Sequence, residues 1–113
     1  MTKIALVTGA GSGIGRAVSL TLAKNGYRVL LSGRQREKLE KVATEGGAAC
    51  HVLPADISDP HSVTKLFTRI CMEFGRLDVL FNNAGTGAAP TPLEDLALED
   101  WKKVIDTGNI KAD

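Results

Sequence analysis

Thr8-Gly9-Ala10-Gly11-Ser12-Gly13-Ile14-Gly15 follows the apolar run Ile4-Ala5-Leu6-Val7 and opens a helical pattern. A bound phosphate needs free backbone N–H groups and the positive end of a helix dipole, with no side chains in the way. A glycine turn between a buried strand and a helix supplies both, and it is the arrangement that seats a dinucleotide pyrophosphate. Gly9 suits the sharp turn out of the strand, Gly13 the approach of backbone to phosphate, and Gly15 close helix–strand packing. Thr8, Gly11, Ser12 and Ile14 complete the candidate contacts of this loop.

The end of the second strand bears on which dinucleotide fits. An NAD site places an acidic residue about 20 positions past the glycines, on the ribose 2′-hydroxyl. Here that position is Gly33, followed by Arg34, and the next carboxylate is Glu37, already inside a helix. An arginine there can pair with a 2′-phosphate through two charge-assisted hydrogen bonds, so NADP(H) is favoured over NAD(H). The alternative for Arg34 is a solvated charge ahead of a helix. Arg36 is a candidate second contact, but Arg36, Lys38 and Lys41 together read as a solvated helix face.

Alternating strands and helices with short connections must position these residues. Strands are expected over 4–7, 28–32, 49–53 and 78–82. The first helix is expected over 13–25, burying a stripe of Ile14, Val18 and Leu22 and stopping at Asn25-Gly26. A second, over 35–45, buries Leu39 and Val42 and ends at Gly46-Gly47. Ser58-Asp59-Pro60 reads as a cap with proline at the first helical position of a third. That helix carries Val63, Phe67, Ile70 and Phe74 on one side and stops at Gly75, and a last helix over 98–106 points Trp101, Val104 and Ile105 inward. Strands of continuous Val, Leu and Ile are buried on both faces, as in a parallel sheet covered by helices. The fold class expected is α/β, the first half of a Rossmann-like doubly wound sheet with strand order 3-2-1-4. Ligands in such sheets lie outside the carboxyl ends of the strands, where the glycine turn, Gly33-Arg34, Asp56 and the segment 82–85 all fall.

Composition narrows the partners. A chain of 113 residues is one domain at most, 1–113. A net charge of +1 predicts neither nucleic acid nor an anionic membrane as partner. No apolar run approaches the length of a membrane span, no signal peptide is visible, and Cys50 and Cys71 read as reduced thiols of a cytoplasmic protein. His51 and His61 lack metal-ligand neighbours, so no metal is expected.

The chain resembles the short-chain dehydrogenase/reductase family. The glycine turn has its T-G-x-x-x-G-x-G spacing, Asp56 stands just past the third strand in Ala55-Asp56-Ile57, and Asn82-Asn83-Ala84-Gly85 ends the fourth. The resemblance covers residues 3–107, less than half the family's usual length. It implies that Asp56 accepts a hydrogen bond from the adenine amino group, with Ile57 beside it. It also implies that Asn82, Asn83, Ala84 and Gly85 brace the sheet and let backbone pass close to the adenosine ribose. Family chemistry is hydride transfer between a nicotinamide and a small carbonyl or alcohol, with a Tyr-x-x-x-Lys acid/base, a serine and a water-holding asparagine.

Tyr27 is the one tyrosine and has Leu31 four positions on, and no serine lies beyond Ser62, so most of that machinery is absent. The resemblance leaves Asn109 as the candidate catalytic asparagine. Trp101, Val104 and Ile105 match the W-x-x-V-x-x-x-N tail, but Gly108 makes the spacing one residue too long. The expected function is the NADP(H)-binding part of a short-chain oxidoreductase that reduces carbonyls or oxidises secondary alcohols. The alternative is a truncated, non-catalytic nucleotide-binding or regulatory module; a methyltransferase binding S-adenosylmethionine shares the opening but leaves Arg34 and the segment 82–85 unexplained. A fourth strand with an open apolar edge invites association, so a homo-oligomer is among the expected partners. A fragment, an altered reading frame or a chain needing a partner all fit this pattern.

Overall fold

The computed structural model describes residues 2–82, and the last expected helix lies outside them. Strands β1 (Ile4–Thr8), β2 (Arg28–Ser32), β3 (Cys50–Val52) and β4 (Val79–Asn82) alternate with helices α1 (Gly13–Lys24), α2 (Arg36–Gly46) and α3 (Pro60–Phe74). A short 3₁₀ turn, Gly47–Ala49, leads into β3 and takes the residue expected to open that strand. All pairings are parallel and the order is β3-β2-β1-β4, as the strand–helix alternation requires.

Each face of the sheet carries its own core. Ile4, Leu6 and Leu30 point to the side covered by Val63, Leu66, Phe67 and Ile70 of α3. Val7, Val29 and Leu31 point to the other, where Leu39 and Val42 of α2 pack, with Val18 and Leu22 of α1 partly buried. Both strand phases are therefore apolar, and every residue of β1 is buried, as a central parallel strand demands. The edge strands β3 and β4 are only half-buried.

Helix ends follow local chemistry. Asp59 caps α3, its carboxylate accepting from the His61 N–H at 3.0 Å, and Pro60 occupies the first turn where no N–H is needed. Gly75 closes α3 in the left-handed conformation (φ 75°).

The stripe expected for α1 is corrected at Ile14, while Val18 and Leu22 do pack against the core. Ile14 is 66 % exposed, and Val18 and Leu22 are half-buried. Gly15 and Ser19 are the buried residues of α1, and the Ser19 hydroxyl donates to the Gly15 carbonyl at 2.7 Å. Ile14, in the first turn of α1, is therefore not part of either core. Close approach falls to residues with almost no side chain, and the internal hydrogen bond lets serine be buried without an unmet hydroxyl.

The amino edge of the sheet is held by one carboxylate. Asp78 accepts from the Ile4 N–H through Oδ2 at 2.8 Å and from Arg76 through Oδ1 at 2.5 Å, while its own N–H donates to the Ile4 carbonyl at 2.9 Å. The Arg76 hydrogen bond, then the Ile4 N–H, hold the Asp78 carboxyl below the usual carboxylate range. A depressed folded-state value means that the stabilisation is present above the unfolded value, about 3.9, and is lost as pH falls through the folded one.

Two stability predictions follow from these contacts. Leu30→Ala, at the centre of the α3-side core, is expected to cost about 2–5 kcal/mol in chemical denaturation, and Ile14→Ala less than about 1 kcal/mol. Equal losses would restore the stripe through Ile14. For Asp78→Asn, the stability deficit relative to wild type should be widest near neutral pH and close as pH drops below about 3.9. A deficit constant with pH would show that the charge of Asp78 is not what matters.

Candidate functional site

Parallel pairing in register brings the carboxyl ends of β1 and β2 level, with Thr8 opposite Ser32 and, on the other side, Asn82. The chain leaves all of these strands at one edge, and backbone hydrogen bonds tie the departing loops together. Ala10 N–H donates to the Ser32 carbonyl at 3.1 Å, Leu53 N–H to Leu31 at 2.8 Å, and Ala55 N–H to Gly33 at 3.0 Å. The turn after β1, the end of β2 and the loop after β3 thus form one continuous rim.

Two adjoining hollows open along it. Gly9, Gly11, Ser12, Gly33, Arg34, Gln35, Lys38 and Leu39 line the first, about 210 Å³. Gly9, Gly33, Arg34, Ala55, Asp56, Ile57 and Ser58 line the second, about 370 Å³. Gly9, Gly33 and Arg34 belong to both, so the crevice runs from the glycine turn to the loop after β3.

Backbone conformation shapes the glycine turn. Gly9 (φ 62°) and Gly13 (φ 59°) lie in the left-handed region, where a side chain would be strained. Around Gly13 no other group comes within 4 Å of where a Cβ would stand, so the backbone there faces open space. Ser12 occupies the N-cap position of α1, yet its side chain makes no capping hydrogen bond. The amide groups at the start of α1 are therefore not engaged by Ser12, as an anion seat requires.

Asp56 is held rather than mobile. Its Oδ1 accepts from the Ser58 hydroxyl at 2.6 Å and the Ser58 N–H at 3.0 Å, and its own N–H donates to the Ser62 hydroxyl at 2.8 Å. The two Ser58 hydrogen bonds, with Arg34 nearby, hold its carboxyl below the usual range. Oδ1 is thus committed to the turn, and Oδ2 is the oxygen left for a ligand. Beside it, Ile57 is only 4 % exposed and belongs mainly to the α3-side core.

Thr8 and Asn82 lie beneath the crevice rather than along it. The Thr8 hydroxyl donates to Asn82 Oδ1 at 2.8 Å, joining β1 to β4 at their carboxyl ends. That polarity leaves the Asn82 amide nitrogen to act as a donor elsewhere. Asn83, Ala84, Gly85 and Asn109 lie outside the described residues. Among the described residues, no group of His, Cys, Asp and Glu could hold a metal ion, and no helix is long and apolar enough to cross a membrane.

Gln35, Lys38, Ser58 and Ser62 were not legible as site residues. Ser58 had a signal in the Asp-x-Ser spacing of an Asx turn. Lys38 had none: it was expected on a solvated face with Arg36 and Lys41, and only the packing of α2 on the glycine turn brings it to the crevice.

A parallel sheet in this order, with a glycine turn after its first strand and a crevice at its carboxyl edge, is a Rossmann-like half. Known proteins narrow it further. A family profile described as short chain dehydrogenase matches residues 3–112. A 3beta-hydroxysteroid dehydrogenase of Mediterraneibacter gnavus is 43% identical over 107 residues, which are 92% of this chain and 39% of that protein. A serine 3-dehydrogenase of Agrobacterium fabrum is 37% identical over 107 residues, 95% of this chain and 43% of that protein. The crystal structure of a metagenomic short-chain oxidoreductase in complex with NADP superposes with a TM-score of 0.72 at 37% identity, covering 91% of this chain and 48% of that one. The chain belongs to the short chain dehydrogenase family. It spans about two-fifths of the length of these curated relatives.

Thr8→Val keeps the side-chain shape and removes the donor to Asn82. It is expected to cost about 1 kcal/mol in urea denaturation, with Asn82→Ala adding little once Thr8 is replaced. Additive losses would mean that the two side chains do not act as a pair.

Proposed function

We propose that the crevice binds the adenosine and pyrophosphate portion of NADP(H), with Arg34 on the 2′-phosphate. One observation carries the reading: β2 runs out into Gly33-Arg34, with no carboxylate at the position after the strand and Arg34 lining both hollows. Glu37, the first acid beyond, sits exposed on α2 and lines neither hollow. Among the described residues, Arg16, Arg36, Arg69 and Arg76 each have a carboxylate within 4.0 Å; Arg34 and Arg28 do not, and of these two only Arg34 lines the crevice.

The residues present fit the group. Gly9, Gly11, Ser12, Gly13, Ile14 and Gly15 would take the pyrophosphate, offering backbone amides and an open approach. Asp56 Oδ2 would accept from the adenine amino group, with Ile57 alongside. Thr8 and Asn82 would hold β1 and β4 together under the ribose, and Asn83, Ala84 and Gly85 would continue that contact. When bound, the nicotinamide supplies a hydride to a carbonyl or takes one from a secondary alcohol. Tyr27 has Leu31 four positions on, so this chain is read as the binding part of that chemistry rather than its acid–base part. Residues 1–113 are assigned to one NAD(P)-binding domain, and Cys50 and Cys71, neither of them in a disulfide among the described residues, suit the reducing cytoplasm.

Replacing Arg34 tests this directly. Arg34→Ala should weaken NADPH about tenfold or more by titration calorimetry while leaving NADH nearly unchanged. An unchanged ratio of the two affinities would remove the 2′-phosphate role.

A further inference from the structure

We propose that Arg16 and Glu45 form a positioning clamp, by which α2 holds the start of α1 and its phosphate-facing amides in place; this rests on the NADP(H) reading above. Arg16 is the fourth residue of α1, and Glu45 is the last but one of α2. The guanidinium meets the carboxylate with two prongs, Nε donating to Oε1 at 3.2 Å and Nη2 donating to Oε2. Two-pronged pairing fixes direction as well as distance, which a single contact between flexible side chains does not. Neither charge serves its own helix. A cation in the first turn opposes the helix dipole, and so does an anion in the last. No acid stands in the first turn of α1 and no base in the last turn of α2. Across the gap between the helices, each charge compensates the other.

The contact between the helices continues beside the pair. Leu20, one turn beyond Arg16, has its Cδ2 3.6 Å from where a Cβ on Gly46 would stand. Gly46 follows Glu45, so α1 meets the end of α2 at two neighbouring points, one charged and one apolar. Local support at the start of α1 is thin. Ser12 makes no capping hydrogen bond with its side chain, and the Arg16 N–H reaches the Ser12 carbonyl at a long 3.4 Å. At Gly13 nothing comes within 4 Å of where a Cβ would stand. Upstream, Gly11 leaves room for Lys38. Thus α2 touches this segment twice, Lys38 at Gly11 and Glu45 at Arg16, and the amides proposed to face the pyrophosphate lie between. An approach left open for a phosphate has no side chains to steady it, and a neighbouring helix takes their place.

Titration calorimetry with NADPH and with 2′-AMP separates the pyrophosphate from the rest, since 2′-AMP carries the adenosine and 2′-phosphate alone. Arg16→Gln and Glu45→Gln are each expected to weaken NADPH about three- to fivefold and to leave 2′-AMP nearly unchanged. The double variant should be no weaker than either single one. Both side chains are exposed, so the variants are expected to fold, which circular dichroism checks. Glu45→Gln distinguishes positioning from charge. If Arg16 acted through its charge on the phosphates, freeing it from Glu45 would tighten NADPH. That tightening, or additive losses in the double variant, overturns the clamp. So does an unchanged ratio of the two affinities, with or without a lower thermal midpoint, which is what a pair serving stability alone would give. If wild type prefers NADPH and both single variants keep its ratio, the clamp falls and the NADP(H) reading survives. A wild-type chain that binds NADPH no more tightly than 2′-AMP would defeat the pyrophosphate seat itself.

Discussion

The parallel pairing of β1 with β2 on one side and β4 on the other is the constraint from which the rest follows. Because the strands run the same way, each must be returned by a helix, and all of them end at one edge. Helices on both faces leave β1 with no exposed side chain, so its side chains within the sheet are closed to a ligand. Chemistry is displaced to the turns beyond its carboxyl edge. There the Ala10, Leu53 and Ala55 amides bond back to β2, making separate loops into one surface. The opposite edge has a different task. At that end the Asp78 carboxylate spans β1 and the start of β4, and its ligands are backbone and a neighbouring arginine.

Polar groups at the crevice divide by whether the protein has already used them. Asp56 is tethered by Ser58 and Ser62, which fixes one carboxylate oxygen and aims the other. The Thr8 hydroxyl donates to Asn82 Oδ1 and joins β1 to β4 at their carboxyl ends. Arg34 has no carboxylate within 4.0 Å among the described residues, though its charge is felt at Asp56. A fixed acceptor beside that cation suits the adenine ring and phosphorylated ribose proposed above.

Small residues do as much as charged ones. Gly9 and Gly13 allow the chain to turn sharply, whereas Gly11 leaves room for Lys38 and Gly15 is buried at the start of α1. The glycine turn is thus a seat for α2 as well as the proposed phosphate loop. Its geometry depends on α2, which lies more than 20 residues further along the chain.

By itself, the sequence determined the elements and their order. Runs such as Arg28-Val29-Leu30-Leu31-Ser32 are too apolar for anything but a buried strand, Asp59-Pro60 and Gly75 bracket α3 by local chemistry, and the strand–helix alternation allows one handed topology. It also placed Gly9, Gly33, Arg34 and Asp56 at a common edge, because in a parallel sheet that position follows from chain direction alone. Tertiary structure decided the rest. Helical periodicity gives an apolar stripe but not what lies under it, so the exposure of Ile14 and the burial of Ser19 follow from how α1 packs and not from its sequence alone. Lys38 shares the surface of α2 with Arg36 and Lys41, and it also meets Gly11 of a distant turn, a contact that no local pattern announces. Local rules act over a few residues; which side of a helix meets a partner is fixed by packing between elements far apart in the chain.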